Sequence, residues 1–296
     1  MPMGTPPADV AGLMLVDKPA GVTSHDVVAA VRRAAGGVRT GHAGTLDPFA
    51  TGLLVLLLGR ATRLMPYLDG EPKVYDATIC FGAETETDDA TGAVTREAQP
   101  PEAAAIDEGI RRLTGAFQQV PPAYSAKKIA GVRAYDAARR GEGLDLAPTP
   151  VVVHVWKIRS RSAYELDARI TCSGGTYIRA LARDLGRRTG SAAHLTRLRR
   201  IASGPYTVAE AVTVDQVRSG ELPLRPPRDI VASLPAHVVN AADHLAVSRG
   251  RAVTAEAGPI GERVALLDDE QMLIAVAERV GAEGALLQPR VVLADA

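Results

Sequence analysis

Apolar positions along the chain come in short runs whose period changes from one segment to the next. Gly12 to Asp17 reads as a short strand, Lys18-Pro19-Ala20-Gly21 as a turn, and Thr23 or Ser24 as the cap of a helix running to about Ala35. Leu53 to Leu58 is an unbroken apolar run, the mark of a strand buried on both faces, and a short helix is expected near Ala61 to Leu68. Lys73 to Phe81 alternates like a strand, whereas Ala83 to Glu97 is acidic and threonine-rich and reads as an exposed loop. Ile106, Ile110 and Leu113 share one face of a helix from about Pro101 to Leu113. Val151 to Ile158 and Tyr164 to Cys172 alternate as a hairpin, and Ser173-Gly174-Gly175-Thr176 turns into a helix from Tyr177 to Arg188. Ala192 to Ile201 is basic and partly apolar, proline-rich Leu222 to Arg228 reads as a linker, and Leu245 to Leu293 as several short strands. Strands and helices mixed without regular βαβ alternation predict an α+β catalytic domain over about residues 10–230 and a small β-rich domain over 240–296. Gln118 to Ala147, with Pro121-Pro122 and Lys127-Lys128, looks like a basic insertion. Met1 to Asp9 carries three prolines and is expected to be disordered.

Composition narrows the classes. Of 296 residues 46% are apolar, enough for a substantial core, and the longest apolar run is far short of the ~20 residues that span a bilayer. The N-terminus has no charged stretch leading into an apolar one, so a soluble, cytoplasmic protein is expected. Cys80 and Cys172 lie far apart with no CxxC or Cys/His spacing, which implies a reducing compartment and no structural zinc. No GxGxxG or P-loop pattern occurs, so no nucleotide cofactor is expected. Net charge is zero but unevenly spread: Ala123 to Gly204 holds 16 Lys/Arg against 6 Asp/Glu, and Ala241 to Ala296 holds 5 against 9. The basic window is interleaved with Tyr124, Tyr135, Trp156, Tyr164 and Tyr177. Such a pattern is the footprint of a polyanion partner, or else a solvated basic face.

Candidate chemistry centres on Gly41-His42-Ala43-Gly44-Thr45-Leu46-Asp47-Pro48. It presents a carboxylate on a stiff loop just before the buried run at Leu53. A carboxylate at the edge of a core is either paired with a base or used for chemistry, although Asp-Pro also starts ordinary turns. Four other segments carry reactive or recognising side chains: Asp17-Lys18-Pro19-Ala20-Gly21, Lys73-Val74-Tyr75, Gly174-Gly175-Thr176-Tyr177-Ile178-Arg179 and Leu198-Arg199-Arg200, the last read as the end of a strand. Singly, each has an ordinary structural reading.

Together, and with Pro121-Pro122-Ala123-Tyr124-Ser125-Ala126-Lys127-Lys128 and Gly131-Val132-Arg133-Ala134-Tyr135, these motifs resemble the TruB family of bacterial pseudouridine synthases. The resemblance implies a mixed, mainly antiparallel sheet with a thumb-like insertion at about 118–147 and a small PUA-like C-terminal domain. It implies conversion of uridine 55 in the TΨC arm of tRNA to pseudouridine, an isomerisation that needs no cofactor or metal, and also allows a tRNA-folding activity. By motif, Asp47 is the essential carboxylate. It acts either as nucleophile at the sugar or as the base of the competing glycal route. Arg179 is its cationic partner, and Tyr75 stacks on the base and assists proton removal from C5. Tyr177 and Leu198 line the uracil pocket, His42 meets the space left by flipped nucleotides, and Lys18 lies near the substrate with a role more structural than binding. Lys127, Lys128, Arg139 and Arg140 of the thumb, with Arg199 and Arg200, are implied to meet RNA phosphates. A monomer is expected, and the acidic C-terminal domain departs from a basic RNA module.

Two neighbouring readings stand beside it: a synthase of guide-RNA particles keeps the chemistry and changes the RNA to ribosomal RNA, and an RNA chaperone folds tRNA without modifying it. The Asp47, Tyr75 and Arg179 set disfavours binding alone. A glycoside hydrolase fails because it normally needs two paired carboxylates.

Overall fold

The computed structural model describes residues 10–124, 128–129, 132–133 and 146–293. Strand β1 (Gly12–Lys18) leads into helix α1 (Ser24–Ala34), whose start is fixed by a capping box in which Thr23 accepts from Asp26 N and Asp26 accepts from Thr23 N. Strands β2 (Thr40–His42), β3 (Thr51–Leu58) and β4 (Lys73–Phe81) follow, with a 3₁₀ segment Gly59–Tyr67 before β4. A short hairpin, β5 (Ala83–Thr85) and β6 (Val94–Glu97), precedes helix α2 (Ala103–Arg112) and strand β7 (Gly115–Gln119). Two-residue strands β8 (Lys128–Ile129) and β9 (Val132–Arg133) pair within the insertion, and β10 (Thr149–Arg161) and β11 (Glu165–Cys172) form the expected hairpin. Helix α3 (Ile178–Arg188) and strand β12 (Ala193–Ser203) come next, then β13 (Tyr206–Thr207), β14 (Val212–Thr213) and α4 (Val214–Arg218). The C-terminal unit has β15 (Ala236–Val238), α5 (Ala241–Ser248), β16 (Val253–Thr254), β17 (Arg263–Leu267), β18 (Leu273–Val280) and β19 (Leu286–Val292).

The large sheet runs β14-β1-β3-β12-β4-β11-β10-β7, mainly antiparallel, as expected for the α+β class. Its strands alternate. Tyr75, Ala77, Ile79 and Phe81 of β4 face the same core as Leu166, Ala168 and Ile170 of β11, and α3 covers it with Leu181 and Leu185. Asp76, Asp167, Arg169 and Arg199 occupy the other face. β3 is buried along almost its whole length and joins β12 by a short parallel contact, Thr51 opposite Arg199 and Gly52 opposite Arg200. Gly52 is required there, because φ is +101° and a Cβ would strike the Arg200 backbone.

Four sequence expectations change. The acidic stretch 83–97 is a hairpin whose tip turns inward, burying Glu84, Thr85, Asp88 and Asp89. Leu198-Arg199-Arg200 does not end its strand, since β12 continues to Ser203. Leu245, expected in a strand, lies on α5. The proline-rich 222–228 segment is not a free linker, because Arg225 exchanges backbone hydrogen bonds with Leu13 at 3.0 and 2.8 Å. One apolar cluster joins Leu13, Leu53, Val55 and Leu57 of the large sheet to Leu267, Leu273, Val276 and Leu293 of the C-terminal sheet.

Candidate active site

The Asp47 loop is built from both sides. Ser24 Oγ, at the start of α1, both accepts from Leu46 N and donates to Leu46 O, at 2.9 and 3.0 Å, while Gly21 N donates to Pro48 O. The Lys18 ammonium, fully buried, donates to the carbonyls of Pro19, Val22 and Pro48. Lys18 therefore does not offer itself to substrate; it anchors the loop from beneath. Burial pulls its pKa down to about 8, against the opposing pull of the Asp47 and Asp26 carboxylates.

Arg179, in the first turn of α3, grips the carboxylate of Asp47 with Nε to Oδ2 at 2.9 Å and Nη2 to Oδ1 at 3.1 Å. The guanidinium is buried while Asp47 keeps a third of its side chain exposed, so the cation is hidden behind a carboxylate that faces a cavity. A bidentate pair of this kind fixes the orientation of a carboxylate. The cavity, about 260 Å³, is lined by Asp47, Lys73, Tyr75, Tyr177, Arg179 and Leu198 among others. Tyr75 forms a buried wall; burial raises its phenol pKa, and Arg200 beside it pulls partly the other way. Tyr75, Tyr177, Leu198, Arg179 and Asp47, far apart in the chain, are thus brought to one place.

Other candidates are placed elsewhere. His42 lies on β2 outside the cavity wall, edge-to-face with His25 at 5.7 Å, with its Nδ1 buried and without a partner among the described residues. Burial and the positive neighbours His25 and Arg200 lower its pKa. Arg200 is 1% exposed and donates to Leu53 O and Gly44 O, so it ties β12 to the Asp47 loop and does not present itself to a phosphate. Arg199 points to the opposite face of the sheet from Leu198 and is held by both oxygens of Asp17. Lys127, Arg139 and Arg140, and the side chain of Lys128, lie outside the described residues.

Sequence reasoning missed the support behind Arg179. Arg179, Arg183 and Arg187 stand one turn apart on α3 and meet acids from the inward hairpin: Asp89 at 3.7 Å, Asp88 at 2.9 Å and Glu84 at 2.8 Å. Desolvation raises the pKa of Asp88 to about 6 against the attraction of Arg183. The same arginines reach the root of the insertion, Arg183 donating to Val120 O and Arg179 to Tyr124 O. Gln119, fully buried, bonds both backbone groups of Tyr177, its Nε2 donating to O at 3.1 Å and its Oε1 accepting from N at 2.9 Å. Tyr177 precedes α3 without a side-chain cap, and Gln119 supplies that function from another strand. The i, i+4, i+8 spacing of the arginines was the signal that acids had to lie opposite. Arg179, Arg183 and Arg200 of the basic window are turned inward, and Arg161, Arg169, Arg187 and Arg199 are paired with carboxylates, so that charge pattern is not evidence for a polyanion by itself.

Comparison with known proteins gives one answer. The profile of the TruB family pseudouridylate synthase N-terminal domain matches residues 32–178, and that of the tRNA pseudouridylate synthase B C-terminal domain matches residues 179–223. The chain is 47% identical over 263 residues to tRNA pseudouridine synthase B of Thermobifida fusca, covering 84% of this chain and 89% of that one. It is 51% identical over 210 residues to the protein of that name from Leifsonia xyli, covering 68% and 70%. Among solved structures, a Cbf5-Nop10-Gar1 complex aligns with a TM-score of 0.71 at 23% identity, over 99% of this chain and 90% of the other, a likeness of fold. The chain belongs to the TruB family of pseudouridylate synthases.

Proposed function

We propose that this chain converts uridine 55 in the TΨC arm of tRNA to pseudouridine. The observation that carries the reading is Asp47, held in place by a buried bidentate arginine and facing a base-sized cavity walled by Tyr75. It is supported by relatives named tRNA pseudouridine synthase B at 40–51% identity. A uridine inside a folded loop has to leave its stack to reach such a cavity. With the base against Tyr75, the Asp47 carboxylate faces the ribose, where it starts the reaction by attacking C1′ or by removing the C2′ proton. The N1–C1′ bond breaks, the base turns, and a C5–C1′ bond forms; the C5 proton leaves and N1 gains one. No electrons are exchanged, so the sequence of bonds balances with uridine and water alone. The phenol of Tyr75, kept neutral by burial, stands by the base for the last proton transfer. Lys127, Lys128, Arg139 and Arg140 of the insertion hold the RNA stem by its phosphates, and the protein acts as a monomer.

Incubating the protein with an unmodified tRNA transcript and mapping pseudouridine tests this. Product at position 55 is expected. Product confined to other uridines overturns the position, and absence of product overturns the activity.

A further inference from the structure

One cation of the cavity has no hydrogen-bond or ion-pair partner among the described residues. Lys73 lies two residues before Tyr75 on the same face of β4, and exposure falls from exposed Glu71 and Pro72, through half-buried Lys73, to buried Tyr75. Lys73 therefore stands at the mouth and Tyr75 in the interior. Its ammonium lies against Gly44: a Cβ on that glycine would come 3.0 Å from Lys73 Nζ and 3.6 Å from Arg200 Nη1. Two cations thus converge at the start of the catalytic loop, at a glycine with φ +110°. Arg200 is satisfied there by Leu53 O and Gly44 O. Lys73 makes no hydrogen bond or ion pair with any described residue; the acids facing it, Glu71 and Cys172, act from beyond contact. An ammonium stripped of part of its water and given no counter-ion is unfavourable until an anion arrives.

We propose that Lys73 binds the phosphodiester flanking the everted uridine, with the base passing it toward Tyr75 and Asp47. The inference rests on the proposed substrate and specifies how that substrate is held. A phosphate drawn to the mouth is kept away from the Asp47 carboxylate, which would repel it, and the nucleotide enters base first. Lys73 is a contact to the RNA backbone and takes no part in bond breaking.

The test combines Lys73→Met and Lys73→Arg with a T-arm stem-loop carrying neutral methylphosphonate at the phosphate on either side of the target. Lys73→Met is expected to lower kcat/KM roughly ten- to a hundredfold at an unchanged melting temperature, with Lys73→Arg recovering most of it. One of the neutral linkages should lower the parent protein's kcat/KM by a similar factor and cost Lys73→Met nothing more. Penalties that multiply, full kcat/KM in Lys73→Met, or a parent protein indifferent to both linkages would each overturn the inference. If Lys73→Met does not fold, the parent protein's response to the two linkages decides alone. The parent protein on ordinary stem-loop separates the two proposals: no pseudouridine there overturns the function, whereas normal conversion with an insensitive Lys73→Met overturns this contact only.

Discussion

Lys18 buries an ammonium completely and gives it three backbone carbonyls, one of them Pro48 next to Asp47. Replacing it with Met leaves those carbonyls without a donor inside the protein, a loss of about 1–3 kcal/mol for each that stays dry. Lys18→Met is expected to lower stability by about 3 kcal/mol and to reduce activity, measured by urea unfolding and single-turnover assay. The pKa of about 8 also sets a sign. Between about pH 8 and the ordinary lysine value the unfolded chain holds the proton more tightly than the folded one, so this group makes stability rise with pH there. Unfolding free energies of the parent protein should gain on those of Lys18→Met across that window; parallel curves would contradict the assignment. At this scale the sequence was legible where a motif named a side chain, as with Asp47, Tyr75, Tyr177, Arg179 and Leu198. It was not legible where the role depends on direction. Arg199 and Arg200 are neighbours of one composition, yet alternation sends one to the outer face and the other into the interior.

Helix α3 is the element on which the site depends. Its arginine ladder takes acids from the β5–β6 hairpin, carbonyls from the root of the insertion and the Asp47 carboxylate, so three separate segments share one helix face. Gln119 completes the junction at Tyr177. Gln119→Met keeps the shape and removes both bonds. Because Tyr177 lines the cavity, kcat should fall roughly ten- to a hundredfold, more than KM for tRNA rises. A loss expressed only in KM would contradict this positioning role. Strand β4 was readable to the residue because its alternation is strict, whereas the β10–β11 hairpin was readable only in outline, since β10 runs beyond the expected ends and carries two irregularities. The β5–β6 hairpin was not, since acids and threonines signal solvent unless the arginines that bury them are known to lie opposite.

Across the whole molecule, the two sheets share a core. Leu53, Val55 and Leu57 belong to one buried apolar cluster with Leu267 and Val276. Arg60 and Arg63 add hydrogen bonds to Leu293 O and Val292 O, and Arg263 stacks over Tyr67 at 5.2 Å. Val276→Ala should therefore cost about 1–3 kcal/mol and lower a single unfolding transition seen alike by probes on either sheet. Two separated transitions would show the C-terminal unit to be independent. The core shared by the two sheets was not legible, because no local pattern says which apolar face meets which.

The central claim is that the Asp47 carboxylate, held by Arg179, starts the base isomerisation. Its most direct test is single-turnover conversion of an unmodified tRNA transcript by Asp47→Asn beside the parent protein, with RNA affinity measured on the same samples. The account predicts a rate lower by more than about a thousandfold with affinity nearly unchanged. Pseudouridine formed by Asp47→Asn at the parent protein's rate would contradict it.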